Sequence, residues 1–168
     1  MRPGSPGFRI RPMTVSDLDS MLAIAASLPE MPRWSREAYL AALTPGTLPQ
    51  RIAFGAVATG TEALAGFAVV GMVPPESELE CIGIAPVFQR QGVAKALWNA
   101  LANELRRRQV TETLLEVRAS NQPALSMYQK LGFRETARRL RYYADPPEDA
   151  ILMQIRLKEC AATDVPHT

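Results

Sequence analysis

Apolar residues recur along the chain with strand-like and helix-like periods, and together they predict eleven elements. Alternating or continuous apolar runs predict strands, and apolar positions spaced by three and four predict helices. The predicted order is β-α-α-β-β-β-α-β-α-β-β. In residue numbers it comprises a strand at 8–11, a helix ended by Pro29, a helix at 36–43, strands at 51–58, 63–73 and 78–85, a helix from 93 to about 108, a strand at 113–118, a helix at 123–130, and strands at 133–143 and 150–157.

Two of the predicted helices have a clear apolar face, and helix boundaries are marked by capping residues. Thr14 or Ser16 can cap the first helix, Ser35 the second, and Gly132 suits the end of the last. The predicted buried face of the first helix is Leu18, Met21, Leu22, Ala25 and Leu28; that of the third is Val93, Ala96, Leu97, Ala100, Leu101 and Leu105. The pattern favours a single α/β domain with a mixed sheet.

Length and hydropathy limit the class of protein. The 168 residues suffice for one domain with a sizeable core. Residues 1–159 are expected to form that domain, and 160–168 a flexible tail. The chain has no apolar run of about 20 residues, which a membrane helix needs, and residues 1–12 lack the apolar stretch of a secretory signal. A cytoplasmic location without membrane contact is expected.

Histidine and cysteine are too scarce for several kinds of catalytic site. The single histidine, His167, is next to the last residue, and the two cysteines are Cys81 and Cys160. A metal site or a histidine base needs such side chains held close together in a packed site. No metal is expected, and Cys81, in an apolar segment, is expected to be a small core residue.

Basic residues are clustered but do not indicate nucleic-acid binding. Sixteen of the nineteen basic residues are arginine, the side chain best suited to bidentate phosphate contacts. Arginines 106–108 and 138–139 are the densest groups, yet aromatic residues make up only 7% and do not alternate with them. No direct contact with nucleic acid is expected.

The strongest local motif is Gln89-Arg90-Gln91-Gly92-Val93-Ala94, between the fourth strand and the third helix. Glycine lets a ligand approach the backbone closely, and the first N–H groups of a helix are unpaired and lie at its positive end. Arg90 and Lys95 add positive charge. The motif lacks the lysine and hydroxyl residue of a Walker loop, so it indicates either a diphosphate cradle or an ordinary strand-to-helix turn.

These residues resemble the acetyl-CoA pyrophosphate loop of the GNAT superfamily of N-acetyltransferases, where Ala94 is more often glycine. Residues 115–121 and 128–133 are similar to its fifth strand and fourth helix. Tyr142-Tyr143 followed by residues 148–153 resembles the RimI type, which acetylates a protein N-terminal amine. The likeness covers residues 79–157; before that, only Trp34-Ser35 matches. It implies about seven strands and four helices, with the fourth and fifth strands splayed apart.

The resemblance also implies where acetyl-CoA binds. Ile82, Gly83 and Ile84 would pair with its pantetheine arm and acetyl group, as an added strand does. The pyrophosphate would lie on Arg90, Gln91, Gly92, Val93, Ala94 and Lys95. Asn121 would contact the far side of the arm.

By analogy with the RimI type, Glu116 would be the general base and Tyr128 the general acid. The residues alone leave other roles open, since Glu116 could face solvent beside Arg118 and Tyr128 could be a core residue. Tyr142 and Tyr143 are expected on opposite faces of a strand. One would pack and the other would line the peptide groove. Trp34 is expected to pack in a loop that rims the site, where it could also contact substrate.

The acceptor is expected to be a protein N-terminal amine, with a ribosomal protein as one candidate carrier. Glu76, Glu78 and Glu80 could form an acidic rim for a basic peptide. Two alternatives stay open: an acetyltransferase for a small-molecule amine, and a non-catalytic module that senses acyl-CoA. Oligomeric state is not predicted.

Overall fold

All eleven predicted elements form, in the predicted order, in the computed structural model, which describes residues 7–158. The predicted tail, with Cys160 and His167, lies outside the described residues. The fourth and seventh strands begin earlier than predicted. The strands are β1 Phe8–Pro12, β2 Arg51–Ala58, β3 Leu64–Val73, β4 Glu76–Ile84, β5 Glu112–Arg118, β6 Arg134–Ala144 and β7 Pro147–Arg156; the helices are α1 Leu18–Ala26, α2 Arg36–Leu43, α3 Val93–Arg107 and α4 Gln122–Leu131.

Two of the predicted capping residues are found at the helix ends, one acting through its side chain and the other through its backbone conformation. The Ser35 hydroxyl accepts a hydrogen bond from the Ala38 N–H at 3.1 Å and begins α2. Gly132 ends α4 in the left-handed region at φ +107°. The first helix begins later than predicted, because residues 15–17 form a 3-10 turn in which the Asp17 carboxylate accepts from the Thr14 N–H. Within residues 7–158, no helix has the length and apolar character needed to cross a membrane.

The buried faces of α1 and α3 are rotated from the predicted ones, and in α3 the predicted Ala96 and Ala100 are only half-buried. In α1, Ile24 is buried with Leu18 and Met21, whereas the predicted Leu22, Ala25 and Leu28 are half-buried. In α3, the prediction missed Trp98 and Ala102. Trp98 is buried because its ring packs 5.0 Å from that of Phe133, which follows α4.

The sheet has the order β1-β2-β3-β4-β5-β7-β6, and β4–β5 is its only parallel pair in the described chain. The two strands are joined by three residue pairs, from Glu76↔Glu112 to Glu78↔Leu114, and beyond these the ladder of main-chain hydrogen bonds stops. Between Leu79 and Cys81, β4 carries a bulge against β3, with Glu80 as the additional residue. A bulge bends its strand and increases its twist. We infer that this bend turns the rest of β4 away from β5, which produces the predicted splay.

Two buried hydroxyl groups join β4 to β5 at the closed end of this gap. The Ser77 and Thr113 hydroxyls lie 2.8 Å apart, and the Ser77 hydroxyl also donates to the Glu112 carbonyl at 3.0 Å. Both residues are buried in an otherwise apolar region. Such a pair stabilises the contact mainly because either hydroxyl alone would be costly to bury.

We predict that Ser77→Ala destabilises the protein more than Thr113→Val. Ser77→Ala leaves the Thr113 hydroxyl buried without its partner, at a cost of about 1–3 kcal/mol. Thr113→Val leaves Ser77 its Glu112 acceptor and should cost about 1 kcal/mol. The measurement is the free energy of unfolding in urea, with the double variant less destabilised than the sum of the two. A larger loss for Thr113→Val would contradict this account.

Candidate active site

The open part of β4 presents main-chain groups to the gap. The Ala85 N–H donates to the Ala65 carbonyl of β3. Because successive N–H groups of a strand point to opposite sides, Gly83 also faces β3, and the N–H groups of Ile82 and Ile84 face the gap. The β4–β5 ladder has already ended there, so it gives those groups no partner. The gap can therefore accept an extended ligand as an additional strand.

The loop between α1 and α2 covers one face of this part of β4. A Cβ atom at Gly83 would lie 3.1 Å from Leu28 Cδ1 and 3.2 Å from Met31 Sδ. These distances are shorter than ordinary van der Waals contacts, so any larger residue would push the loop away. The loop therefore rims the gap, as predicted.

The loop from Gln89 to Lys95 forms an anion cradle at the beginning of α3. Gly92 is in the left-handed region at φ +82°, and no atom lies within 4 Å of a Cβ built on it. Arg90 also has a positive φ, of 61°. In the described chain, the main-chain N–H groups of residues 90–95 have no main-chain acceptor. Unpaired donors at the positive end of a helix suit a diphosphate.

Two glutamine side chains hold this cradle in shape. Gln89 Nε2 donates to the Ile84 carbonyl at 3.1 Å, and Gln91 Nε2 donates to the Val87 carbonyl at 3.1 Å. The side chain of Gln91 is thus engaged within the protein, and its main-chain N–H is the group left for a ligand. Val93 is buried, whereas Ala94 is half-buried and Lys95 exposed.

Tyr128 of α4 lies on the side of the sheet that α3 and α4 cover, against the core cluster that Ile82 of β4 also contacts. Its ring packs edge-on against Phe133 at 5.9 Å. Burial, with smaller contributions from Cys81 and Tyr143, raises the pKa of the Tyr128 hydroxyl well above its ordinary value. No side-chain hydrogen bond among the described residues involves this hydroxyl, and it is not fully enclosed, because every fully buried side-chain polar atom there has a partner. It stays protonated at neutral pH and is available to a ligand.

Glu116 lies on the opposite face of the sheet from Tyr128. Its neighbours in β5, Leu115 and Val117, are buried in the core beneath α3 and α4, so alternation directs Glu116 outward. Its carboxylate is 24% exposed, and Oε1 lies 3.3 Å from Nη1 of Arg139. A tyrosine hydroxyl and a carboxylate therefore lie on opposite faces of the sheet.

The prediction that Tyr142 and Tyr143 lie on opposite faces of a strand is wrong. Their ring centroids are 5.2 Å apart in edge-to-face contact. A register shift between Arg139 and Tyr143, with Arg141 at φ +50°, breaks the alternation of β6. Interaction with the Glu116 carboxylate raises the pKa of the Tyr142 hydroxyl, so Tyr142, 48% exposed, is on the face of the candidate base.

An arginine fixes the β6–β7 turn behind these tyrosines. The Arg118 guanidinium lies 4.2 Å from the Tyr143 ring centroid and 3.4 Å from Glu148. It also donates to the carbonyl groups of Asp145 and Pro146. This arrangement holds Tyr143 half-buried against the turn.

Asn121 and Trp34 both have structural contacts. The Asn121 side-chain oxygen accepts from the Ala124 N–H at 3.2 Å and caps α4, which leaves its amide nitrogen for a ligand. The Trp34 ring packs 5.2 Å from Tyr39, with the Arg51 guanidinium 5.8 Å from its centroid. Trp34 thus packs in its loop, as predicted, and any contact with substrate stays a prediction.

The three candidate rim residues line one cavity of about 210 Å³ beside the closed end of the gap: Glu76, Glu78 and Glu80. Glu80 is paired with Arg51, whose Nε lies 2.6 Å from its carboxylate. Burial, with contributions from Glu80 and Glu116, raises the pKa of Glu78. Two of the three carboxylates of this cavity, Glu76 and Glu78, thus have no ion-pair partner among the described residues.

Sequence reasoning missed Arg118 and Arg139 as residues of this site. No local motif marks them, because their partners Glu148 and Glu116 are distant in sequence. Cys81 is buried, as predicted, and burial raises the pKa of its thiol. Within residues 7–158 no three His, Cys, Asp or Glu side chains are grouped so as to hold a metal ion.

Comparison with known proteins gives consistent results. The model of the acetyltransferase (GNAT) family matches residues 19–133. A ribosomal protein bS18-alanine N-acetyltransferase of Escherichia coli is 44% identical over 94 residues, 55% of this chain and 64% of the relative. The chain thus spans less than two thirds of that relative. The Salmonella typhimurium counterpart is 41% identical over 99 residues, 58% of this chain and 67% of the relative.

A solved structure extends the likeness over nearly the whole chain. The crystal structure of the ribosomal-protein-S18-alanine N-acetyltransferase from E. coli superimposes with a TM-score of 0.78 at 31% identity. The superposition covers 96% of this chain and 100% of that one. The predicted α/β fold, with one sheet of seven strands and four helices, is confirmed.

We predict that Gly92→Ala weakens coenzyme A binding by about tenfold or more, since each lost charge-assisted hydrogen bond is worth about 1.5–3 kcal/mol. The added methyl would occupy the space of the cradle in which the ligand is expected to bind. It would meet no protein atom within 4 Å there, so the methyl would obstruct the ligand and not the fold. Gly60→Ala is the matched control. Gly60 also has a positive φ, of +96°, and no atom within 4 Å of an added Cβ, but it lies in the β2–β3 turn, away from the cradle. Calorimetric titration with coenzyme A should show weakening only for Gly92→Ala. Equal affinities in the two variants would contradict the assigned cradle.

Proposed function

The chain belongs to the acetyltransferase (GNAT) family, and on that premise we propose that it transfers acetyl from acetyl-CoA directly to a protein N-terminal α-amine. The observation that supports this proposal is the position of Glu116 and Tyr128 on opposite faces of the sheet that contains the open β4–β5 gap. The relatives named above act on an alanine of ribosomal protein bS18. An N-terminal alanine is therefore the first acceptor to test.

Acetyl-CoA fits the donors that line the gap. The N–H groups of Ile82 and Ile84 would pair with the pantetheine arm as an added strand does. The cradle around Gly92 would hold the pyrophosphate, with Arg90 and Lys95 adding charge. When bound, the cofactor supplies an acetyl group activated as a thioester.

The two candidate catalytic side chains would move the two protons that the reaction requires. Glu116 would accept the proton of the ammonium group, directly or through water, so that the amine can attack the thioester carbonyl carbon. An α-amine has an ordinary pKa near ~7.7–8, so a carboxylate base suffices at neutral pH. Tyr128 would donate its proton to the sulfur as the carbon–sulfur bond breaks, and the second proton that the nitrogen loses on becoming an amide would restore the tyrosine hydroxyl through water. Burial raises the pKa of Tyr128, so its hydroxyl carries a proton before the reaction begins.

A direct transfer is favoured over a covalent acetyl-enzyme. The only cysteine in the described residues, Cys81, is buried, and burial raises the pKa of its thiol. A thiol in that environment is protonated and is a poor nucleophile.

The surroundings of Glu116 favour a peptide as the acceptor. Tyr142 exposes half its side chain on this face, and Arg118 holds Tyr143 and the β6–β7 turn behind it. An amphipathic aromatic side chain is a suitable wall for an extended peptide. The acidic cavity around Glu78 adds attraction for a positively charged chain.

The test is thiol release from acetyl-CoA with two sets of acceptors. One contains peptides with Ala, Ser or Met at the N-terminus, and the other small-molecule amines. We expect faster release with the peptides, with one acetyl group placed on the α-amine by mass spectrometry. Glu116→Gln and Tyr128→Phe should each lower kcat by more than about tenfold. Glu135→Gln, on an exposed part of β6, and Tyr39→Phe, which removes a hydroxyl bonded to the Pro32 carbonyl, are matched controls.

Three outcomes would contradict the proposal in different ways. Preference for small amines would leave the fold and the cofactor site intact but change the acceptor. Tight coenzyme A binding without turnover would favour a sensor module. Near wild-type rates in folded Glu116→Gln or Tyr128→Phe protein would remove that residue from catalysis.

A further inference from the structure

We infer that Arg139 occupies the place of the acceptor's ammonium group beside Glu116 and must be displaced before a substrate amine can bind. This inference rests on the proposed function. It makes Arg139 a specificity-determining residue. When the Arg139 guanidinium moves away, the Glu116 carboxylate loses its positive partner, and only an acceptor that carries a positive charge of its own replaces it.

The groups that face Glu116 come from three strands. From β6 come Arg139, Tyr142 and Tyr143, from β4 comes Glu78, and from β5 itself comes Arg118, two residues along on the same face. Of the two arginines, Arg139 is the one paired with Glu116, since Arg118 is paired with Glu148. The Nη1 atom of Arg139 lies 3.3 Å from Oε1 of the Glu116 carboxylate, and its guanidinium lies 5.4 Å from the centroid of the Tyr142 ring.

The side of Glu116 that an acceptor must reach is the side that Arg139 and Tyr142 cover. The core face of β5 is closed by the buried Leu115 and Val117. A general base must come within hydrogen-bond reach of the proton that it accepts, or within one water of it. An ammonium group that enters from solvent therefore meets the Arg139 guanidinium first.

The contacts of Arg139 are those of a side chain that can leave. It makes one ion-pair contact and one contact with an exposed ring, that of Tyr142 at 5.4 Å, is 53% exposed, and has no hydrogen bond to a described residue. Arg118 provides the contrast, since it is 28% exposed and combines an ion pair with two main-chain acceptors and a stacked ring. Exposed ion pairs of the first kind are weak. Arg118 thus anchors the turn, whereas Arg139 is held loosely enough for a substrate cation to replace it.

Steady-state kinetics with an N-terminal alanine peptide, at saturating acetyl-CoA, tests this inference. Arg139→Gln should lower the KM for the peptide about two- to fivefold, the range expected for losing one exposed ion pair, while kcat stays within about twofold. Arg139→Lys keeps the positive charge and should restore the wild-type KM. Arg138→Gln is the matched control, because Arg138 is equally exposed but is paired with Asp149 instead.

A second measurement checks the local geometry without any acceptor. The charge of Arg139 lowers the pKa of Tyr142, whereas Glu116 raises it. Arg139→Gln should therefore raise the Tyr142 pKa further in an ultraviolet titration of the tyrosines, with Tyr142→Phe identifying the signal. Arg138→Gln should leave it unchanged.

The outcomes separate this inference from the proposed function. Peptide turnover with an unchanged or higher KM in Arg139→Gln overturns the inference alone. The same holds if kcat falls and KM does not, since Arg139 would then position the base. Absence of turnover with every peptide in the wild-type protein overturns both, and a Tyr142 pKa that does not move overturns the assigned contact.

Discussion

The main-chain ladder between β4 and β5 stops after three residue pairs, and the candidate site depends on that interruption. Ser77 and Thr113 fasten the two strands at the middle of these three pairs, and the bulge at Glu80 bends β4 just beyond the last one. A sheet that continued to pair would satisfy every N–H and carbonyl group and leave none for a ligand. The broken ladder leaves Ile82 and Ile84 with donors directed into the gap. Since α3 begins just after β4, its unpaired N–H groups lie at the same end of the sheet.

The same interruption separates the two sides of the proposed reaction. Alternation along β5 places Leu115 and Val117 in the core and Glu116 on the opposite face, whereas Tyr128 lies on the core side. A base on one face and an acid on the other can act on a thioester between them without exchanging a proton with each other. Burial raises the pKa of Tyr128 and so keeps the proposed acid protonated, whereas partial exposure of Glu116 lets an acceptor reach the proposed base.

The order of the strands and helices, and part of the candidate site, could be predicted from the sequence, because the patterns that indicate them involve only neighbouring residues. Strand and helix periods, the cap at Ser35 and the glycine at 92 each depend on a few adjacent residues, and all appear in the structure. The failures arise where distant contacts or irregular backbone decide the outcome. Trp98 is buried by Phe133, which no period in α3 reveals. Tyr142 and Tyr143 meet because β6 loses its alternation near Arg141. The contact between Arg139 and Glu116 joins two strands that β7 separates.

Amide hydrogen exchange at Ile82 and Ile84, with and without acetyl-CoA, would test the central claim most directly. If these donors face an open gap, both amides should exchange rapidly in the free protein and become strongly protected when acetyl-CoA binds. The Gly83 amide, which faces β3, should be protected in both states and serves as the internal reference. Amides at 82 and 84 that are already protected in the free protein, or that acetyl-CoA leaves unchanged, would contradict an open β4 edge as the cofactor site.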